Sequence, residues 1–429
     1  MPDPAIPTAS EATRRIATGS LTAEAYTRAC LDCIAAREPV VQAFAALDAD
    51  AALRTARALD SAPSRGPLHG IPFAVKDVID TTDLPTAMGS PIWQGYRPRA
   101  DAASVALTLA AGGVMLGKTV TAELAYVAPG PTTNPHHSAH TPGGSSSGSA
   151  AAVAAGMVPL AIGTQTGGSV LRPASFCGVV GFKPSYGAIP RAGMKLMADS
   201  LDTIGLMTRT VEDAALFFAV LSGDSPEPVP DLPAAPRIGL CRTHLWDLAE
   251  PSSHEAVEDA ARRLEAGGAV LREVRLPAAF AALTETRVTI NDHEIGRSLA
   301  HEWAYHRESL SPRLAKAVET GRAIPRSAYV AAMEAAESAR ARFPQAMAGC
   351  DAFLVLGASG EAPEGLGSTG DSRFQGLWTL LHGPAIGLPT HRGPRGLPVG
   401  IQLVAPPHAD RHLLAVAHWA MARLGSPFP

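Results

Sequence analysis

Apolar residues recur at helical spacing over 21–37 (LTAEAYTRACLDCIAAR), just behind Ser20 and Thr22, either of which can cap a first turn. That spacing predicts a helix. Short unbroken apolar runs at 71–75 and 114–117 predict buried strands, and Ala102 to Ala111 between them predicts a helix. Ser147 to Gly156 reads as a further helix, Val158 to Ile162 as a strand and Val179 to Phe182 as another short strand. Helical patterns return at Ser253 to Ala266 and Ser327 to Phe343. Strands alternating with helices imply a layered α/β architecture. The apolar stretch Ala150 to Ile162 is broken by Gly156 and Pro159. It falls short of the roughly 20 apolar residues a membrane span requires, so it reads as a buried helix leading into a strand.

The clearest break in the pattern is GDSPEPVPDLPAAP, whose prolines forbid a regular helix or a central strand. We read residues 224–236 as a proline-rich surface connection inside a single domain spanning 1–429, because RIGLC then begins a new strand. No repeat of solenoid period is visible. The 429 residues, 46% of them hydrophobic, suffice for a sizeable core. A net charge of −4 lacks the basic footprint of a nucleic-acid binder. The N-terminus has no basic segment followed by an apolar core, so no signal peptide is expected. Five cysteines form no disulfide framework and suggest a reducing, cytoplasmic setting.

The chemistry concentrates in two loops. GGSSSGS (143–149) and GTQTGGS (163–169) each place bare backbone N–H groups beside serine hydroxyls. A developing oxyanion needs the former and acyl transfer needs the latter. Upstream, Lys76 ends the apolar run of GIPFAVKD. A lysine at the buried end of a strand is poorly solvated, which favours its neutral form and lets it act as a base.

On these segments the chain resembles an amidase signature hydrolase. The likeness runs through GIPFAVKD, LGKTVTAELAY, NPHHSAHTPGGSSSGSAAAVAAG, GTQTGGSVLRPASFCGVVGFKPSYG and LDTIGLMTRTVEDAA, then resumes at HGPAIGLPT and GLPVGIQLV. Only the middle, from about 224 to 349, matches weakly. The resemblance implies an α/β fold with a single large mixed, twisted sheet and helices on both faces. It also implies a Ser–cis-Ser–Lys triad, with Ser169 as nucleophile, Ser145 as the bridging serine behind a cis bond from Gly144, and Lys76 as base. Backbone N–H groups of Thr166, Gly167, Gly168 and Ser169 would hold the oxyanion. The expected reaction is hydrolysis of a small-molecule amide through an acyl-enzyme, with no cofactor, no metal, no nucleic acid and no membrane, and with a homodimer left open. The A-type subunit of a tRNA-dependent amidotransferase shares this fold and triad and is the first rival; ester or carbamate hydrolysis by the same triad is another.

Arg172 departs from the usual pattern. It stands three residues after the nucleophile instead of two, an arrangement of malonamidase-like members, which also have glutamine at the position of Gln165. The likeness implies that Arg172 binds a substrate carboxylate. The competing expectation is an ion pair with Asp199 or Asp202.

Four other patterns need a plainer explanation. GGVMLGKT (112–119) fits the P-loop pattern G-x-x-x-x-G-K-[ST], but its middle residues Val114, Met115 and Leu116 call for burial, not for an open anion nest. GSSSG (144–148) fits the nucleophile elbow around Ser146, yet NPHHSAHTPG before it cannot be the strand that motif needs. His136, His137 and His140 read as polar surface, and His301 and His306 as a helical i, i+5 pair pointing apart. Cys30 and Cys33 read as half-buried core thiols of the first helix.

Overall fold

The computed structural model describes residues 6–347 and 349–428. Among these residues one sheet of eleven strands runs through the molecule: β1 (Phe44–Leu47), β2 (Pro72–Lys76), β3 (Val114–Thr119), β4 (Leu160–Gln165), β5 (Val180–Lys183), β6 (Thr203–Thr208), β7 (Arg237–Cys241), β8 (Val270–Val274), β9 (Ala352–Leu356), β10 (Ala385–Arg392) and β11 (Pro398–Val404). The order across it is β1-β3-β2-β4-β6-β5-β10-β11-β9-β7-β8. β2 pairs parallel with β3 and β4, and β7 pairs parallel with β8 and β9. The other pairings are antiparallel, so the sheet is mixed, as expected.

Both faces of the sheet are covered. Successive side chains of a strand point to opposite faces. In β9, Leu354 and Leu356 join one apolar cluster while Phe353 and Val355 join another. The first cluster takes Val257, Ala261 and Leu264 from helix Pro251–Ala266 and Leu413 and Val416 from helix Asp410–Leu424. The second takes Ala336 and Phe343 from helix Arg326–Ala346 and Leu377 and Trp378 from helix Arg373–Leu380. This is why β9, β2 up to Val75 and β4 over 160–162 read as continuous apolar runs and not as alternating ones: every residue in these strands is buried.

Element boundaries differ from expectation where local chemistry overrides the apolar pattern. The first long helix is Ala23–Val41; Thr22 caps it by accepting from Ala25 N at 3.0 Å, whereas Ser20 donates to Arg15 O instead. β4 begins at Leu160, after Val158 and Pro159, and continues past Ile162 to Gln165. Its polar end is held in the ladder by β6, with Gly163 opposite Gly205 and Gln165 opposite Thr203. Residues 224–236 contain no helix or strand and are mostly exposed. No helix among the described residues is long and apolar enough to cross a membrane.

The P-loop pattern dissolves into β3, and Lys118 is fully buried in an ion pair with Asp77 at 3.1 Å. Cys30 is buried and Cys33 partly buried; both are free thiols. The three loop histidines are less superficial than expected. His136 bonds to Cys177 O and His140, which is buried, bonds to Ala362 O, each at 2.8 Å. His301 and His306 also differ from expectation. The helix stops at Tyr305, so the rings turn together, with centroids 5.4 Å apart. Among the described residues no group of three or more His, Cys, Asp or Glu is arranged to hold a metal.

Candidate active site

Three chain segments deliver the polar groups. β2 carries Lys76 into the molecule, where it is entirely buried. The loop before helix Ser147–Ala154 brings Ser145, whose peptide bond from Gly144 is cis. The end of β4 runs into 166–170 ahead of helix Leu171–Cys177 and presents Ser169. Lys76 Nζ lies 2.7 Å from Ser145 Oγ and 2.7 Å from Thr164 Oγ1. Burial lowers the lysine pKa to about 7; the negative charge of Asp202 opposes the shift and the positive charge of Arg172 assists it. A lysine that is neutral near pH 7 can take a proton from the hydroxyl it touches.

Ser169 is partly exposed at a cleft of about 240 Å³, open to solvent. Its hydroxyl makes no hydrogen bond within the described residues. Its carbonyl accepts from Ser146 N at 3.3 Å, which ties the two serine loops together. Thr166, Gly167 and Gly168 line the same cleft. The N–H groups of Gly167, Gly168 and Ser169 find no acceptor among the described residues. The lack of a side chain at Gly168 is required here, since a Cβ would collide with Gln375 Oε1 and lie 3.1 Å from Arg172 Nη1. Ser146, the elbow candidate, is buried and committed: its hydroxyl donates to Thr164 O and accepts from Thr164 N, both at 3.2 Å.

The loop is held by groups that the sequence pattern does not single out. Thr166 donates to Asp202, which also accepts from Met197 N at 2.6 Å and Ala198 N at 3.0 Å. Burial raises the Asp202 carboxyl to about 6, against these donors. Gln165 accepts from Val170 N at 2.9 Å and Leu171 N at 3.0 Å, and donates to Thr379 Oγ1 at 3.0 Å. It therefore satisfies N–H groups at the start of the helix that follows Ser169. In the sequence, glutamine at 165 stands out only as a mark of likeness.

Arg172 pairs with neither Asp199 nor Asp202. Asp199 is taken by Arg191 at 3.1 Å and Asp202 by Thr166. Arg172 is buried, and its Nε donates to Thr369 O at 2.6 Å. Its Nη2 donates to Gly144 O at 2.5 Å and to Thr369 Oγ1 at 3.2 Å. Gly144 O belongs to the cis peptide, so the guanidinium holds the loop that carries Ser145. Only Nη1 lacks a partner. A second arginine, Arg287 on helix Leu283–Ser298, also lines the cleft. Nothing in the local sequence marks it.

This mixed sheet sets a buried lysine against one serine loop while the other lines the cleft, the arrangement expected from the likeness to amidase signature hydrolases. Similarity to known proteins points the same way. The Amidase family model matches residues 25–414, and the chain belongs to that family. It is 43% identical over 297 residues to the A-type subunit of the glutamyl-tRNA(Gln) amidotransferase of Chloroflexus aggregans. That match covers 63% of this chain and 60% of the relative's length. The corresponding protein of Oleidesulfovibrio alaskensis is 34% identical over 474 residues, covering 97% of each chain. A crystal structure of an amidase superposes with a TM-score of 0.90 at 31% identity, covering 98% of this chain and 100% of that one.

Proposed function

We propose that the protein hydrolyses a carboxylic amide through an acyl-enzyme on Ser169. Neutral Lys76 accepts a proton from Ser145, which accepts one from Ser169. The Ser169 oxygen attacks the amide carbon, and the oxyanion takes hydrogen bonds from the N–H groups of residues 166–169. The C–N bond then breaks as the proton returns through Ser145 to the leaving amine. Water repeats the relay on the ester and releases the acid. The single observation carrying this reading is the fully buried Lys76, its pKa lowered to about 7, at 2.7 Å from Ser145 Oγ.

The test is covalent labelling with an active-site-directed fluorophosphonate, located by peptide mass spectrometry. Label on Ser169, lost in Ser169→Ala and kept in Ser146→Ala, is the expected outcome. Label on Ser146 instead would overturn the assignment.

The amidotransferase component is the second reading, favoured by one observation: a relative bearing that name matches over nearly the whole length of this chain. It requires partner proteins and a surface for tRNA. Expression beside the neighbouring open reading frames of the source genome, followed by co-purification, separates the two. A stable complex with a small and a large partner supports the amidotransferase; an active lone chain supports the amidase. Esters and carbamates remain substrates that the same triad could cleave. The position of Arg172 favours a small carboxylate-bearing amide, but only one of its nitrogens is free to contribute.

A further inference from the structure

We infer that Arg287, together with the free Nη1 of Arg172, forms an anion subsite that selects amide substrates carrying a second, carboxylate group. This rests on the amidase reading and adds to it Arg287 as a specificity-determining residue.

Arg287 lies on the core-facing stripe of helix Leu283–Ser298, flanked by Leu283, Ile290 and Glu294 at helical spacing. Only 9% of its surface is exposed. A buried guanidinium normally has every donor engaged or a carboxylate against it. Arg287 has neither: no hydrogen bond or ion pair joins it to any described residue. The neighbouring carboxylates make their hydrogen bonds to other groups. Asp371 makes a two-point pair with Arg373, at 2.7 and 2.8 Å. Asp292, which also lines the cleft, accepts from Asn291 Nδ2 at 2.9 Å. Asp292, and after it Tyr126, Asp371 and Glu285, act on Arg287 only through space.

The position of the group decides its meaning. A Cβ built on Gly167 would lie 3.6 Å from Arg287 Nη1, and one built on Gly168 would lie 3.1 Å from Arg172 Nη1. Two guanidinium nitrogens thus stand over the two successive glycines that precede Ser169. Gly376 makes room for this, since a side chain there would meet Arg287 Nε at 2.6 Å. A neutral amide would leave both cations desolvated and unpaired at the mouth of the oxyanion loop. A carboxylate a few bonds from the scissile carbonyl would pair with both. Arg172 is tied into the loop, so Arg287, on a separate helix, is the member free to discriminate among substrates.

The test compares kcat/KM for malonamate and succinamate with that for propionamide and butyramide, in the native protein and in Arg287→Met. The expected result is a native preference for the acidic amides. In Arg287→Met that preference falls by roughly 10²-fold, as truncating one partner of a buried charge pair does, mostly through KM. Arg287→Lys should recover part of it. Equal losses on both classes, or a native preference for the neutral amides, would overturn the subsite.

Binding supplies a readout independent of turnover and distinguishes a substrate carboxylate from the product's own. Calorimetry on Ser169→Ala should show succinate binding at least tenfold more tightly than butyrate, with the difference lost in Ser169→Ala/Arg287→Met. Equal affinity for the two would mean that the arginines serve only the acid formed at Ser169, and the subsite fails. Label on Ser169 without any acid preference would sink this inference alone. Absence of label would sink the amidase reading, with the binding comparison still deciding the subsite. If Arg287→Met does not fold, Arg287→Gln replaces it in both comparisons.

Discussion

Lys76 is the residue whose protonation the proposed chemistry depends on, and the sign of its pH dependence follows from its burial. The lysine has a folded pKa of about 7, below its ordinary 10.5, because burial disfavours the ammonium. The active, neutral form therefore gains population as pH rises through about 7. We expect kcat/KM to climb over that range and level off above it. Asp202 is the group whose charge holds this pKa up. Asp202→Asn removes the charge, so the midpoint of whatever activity remains should move to lower pH. A midpoint that stays fixed or rises would show that Lys76 is not the titrating base. Lys76→Ala should lose roughly 10²–10⁴-fold in rate or more, the range for removing a general base. A folded Lys76→Ala protein with near-native activity would exclude it.

Between residues and the whole stand the loops and helices that aim them. The segment from Gly163 to Cys177 is strand, glycine-bearing loop and helix in immediate succession, and Gln165 and Arg172 brace it from either side. Arg172 ties the helix to Gly144 O and Thr369 O. Arg172→Met would leave those two buried carbonyls unpaired, at about 1–3 kcal/mol each. The expected outcome is a lower melting temperature and a fall in kcat on neutral amides as well as acidic ones, the acidic ones losing more because Nη1 goes too. Arg287→Met, which leaves that brace intact, should by contrast act mainly on the acidic class. An Arg172→Met protein with native kcat on neutral amides would show that the brace is dispensable.

At the scale of the molecule, the chain segment before the sheet is fastened from a distance. Asp213 is buried at the start of helix Val211–Ser222 and accepts from Ala9 N at 3.0 Å and Ser10 N at 2.8 Å. A carboxylate set against the first N–H groups of helix Ala9–Ala17 satisfies donors that helix cannot satisfy itself. Arg209 adds bonds to Ile6 O and Pro7 O at 2.9 and 2.6 Å. Asp213→Ala should cost about 1–3 kcal/mol of stability and open the N-terminal helix to proteolysis. Activity at room temperature should stay near native, because the site lies on other strands. Chemical denaturation and limited digestion measure both effects, and unchanged stability would show that the tether contributes nothing.

Much of this was legible in the residues because it is local. Apolar runs name strands buried on both faces, Thr22 announces a helix start, and two glycine–serine loops with a lysine after an apolar run are unusual enough to mark a site. The family likeness, carried by several separate segments, supplied the sheet and the candidate triad. What the chain order could not reveal was which distant groups meet. Thr164 joins Lys76 because β4 pairs parallel with β2, and Asp202 reaches back to Thr166 because β6 pairs antiparallel with β4 and places Thr203 opposite Gln165. The expectation that Arg172 pairs with an aspartate failed for the same reason: its partners come from Gly144 and Thr369, one 28 and the other 197 residues away. Arg287 sits in the stretch that matches the family least, within a helix of unexceptional pattern. Side-chain periodicity says which face of a helix is buried, but not whether that face meets apolar core or a cleft. Only tertiary packing, which sets that helix against the glycines before Ser169, decides that a buried arginine there has an anion to wait for.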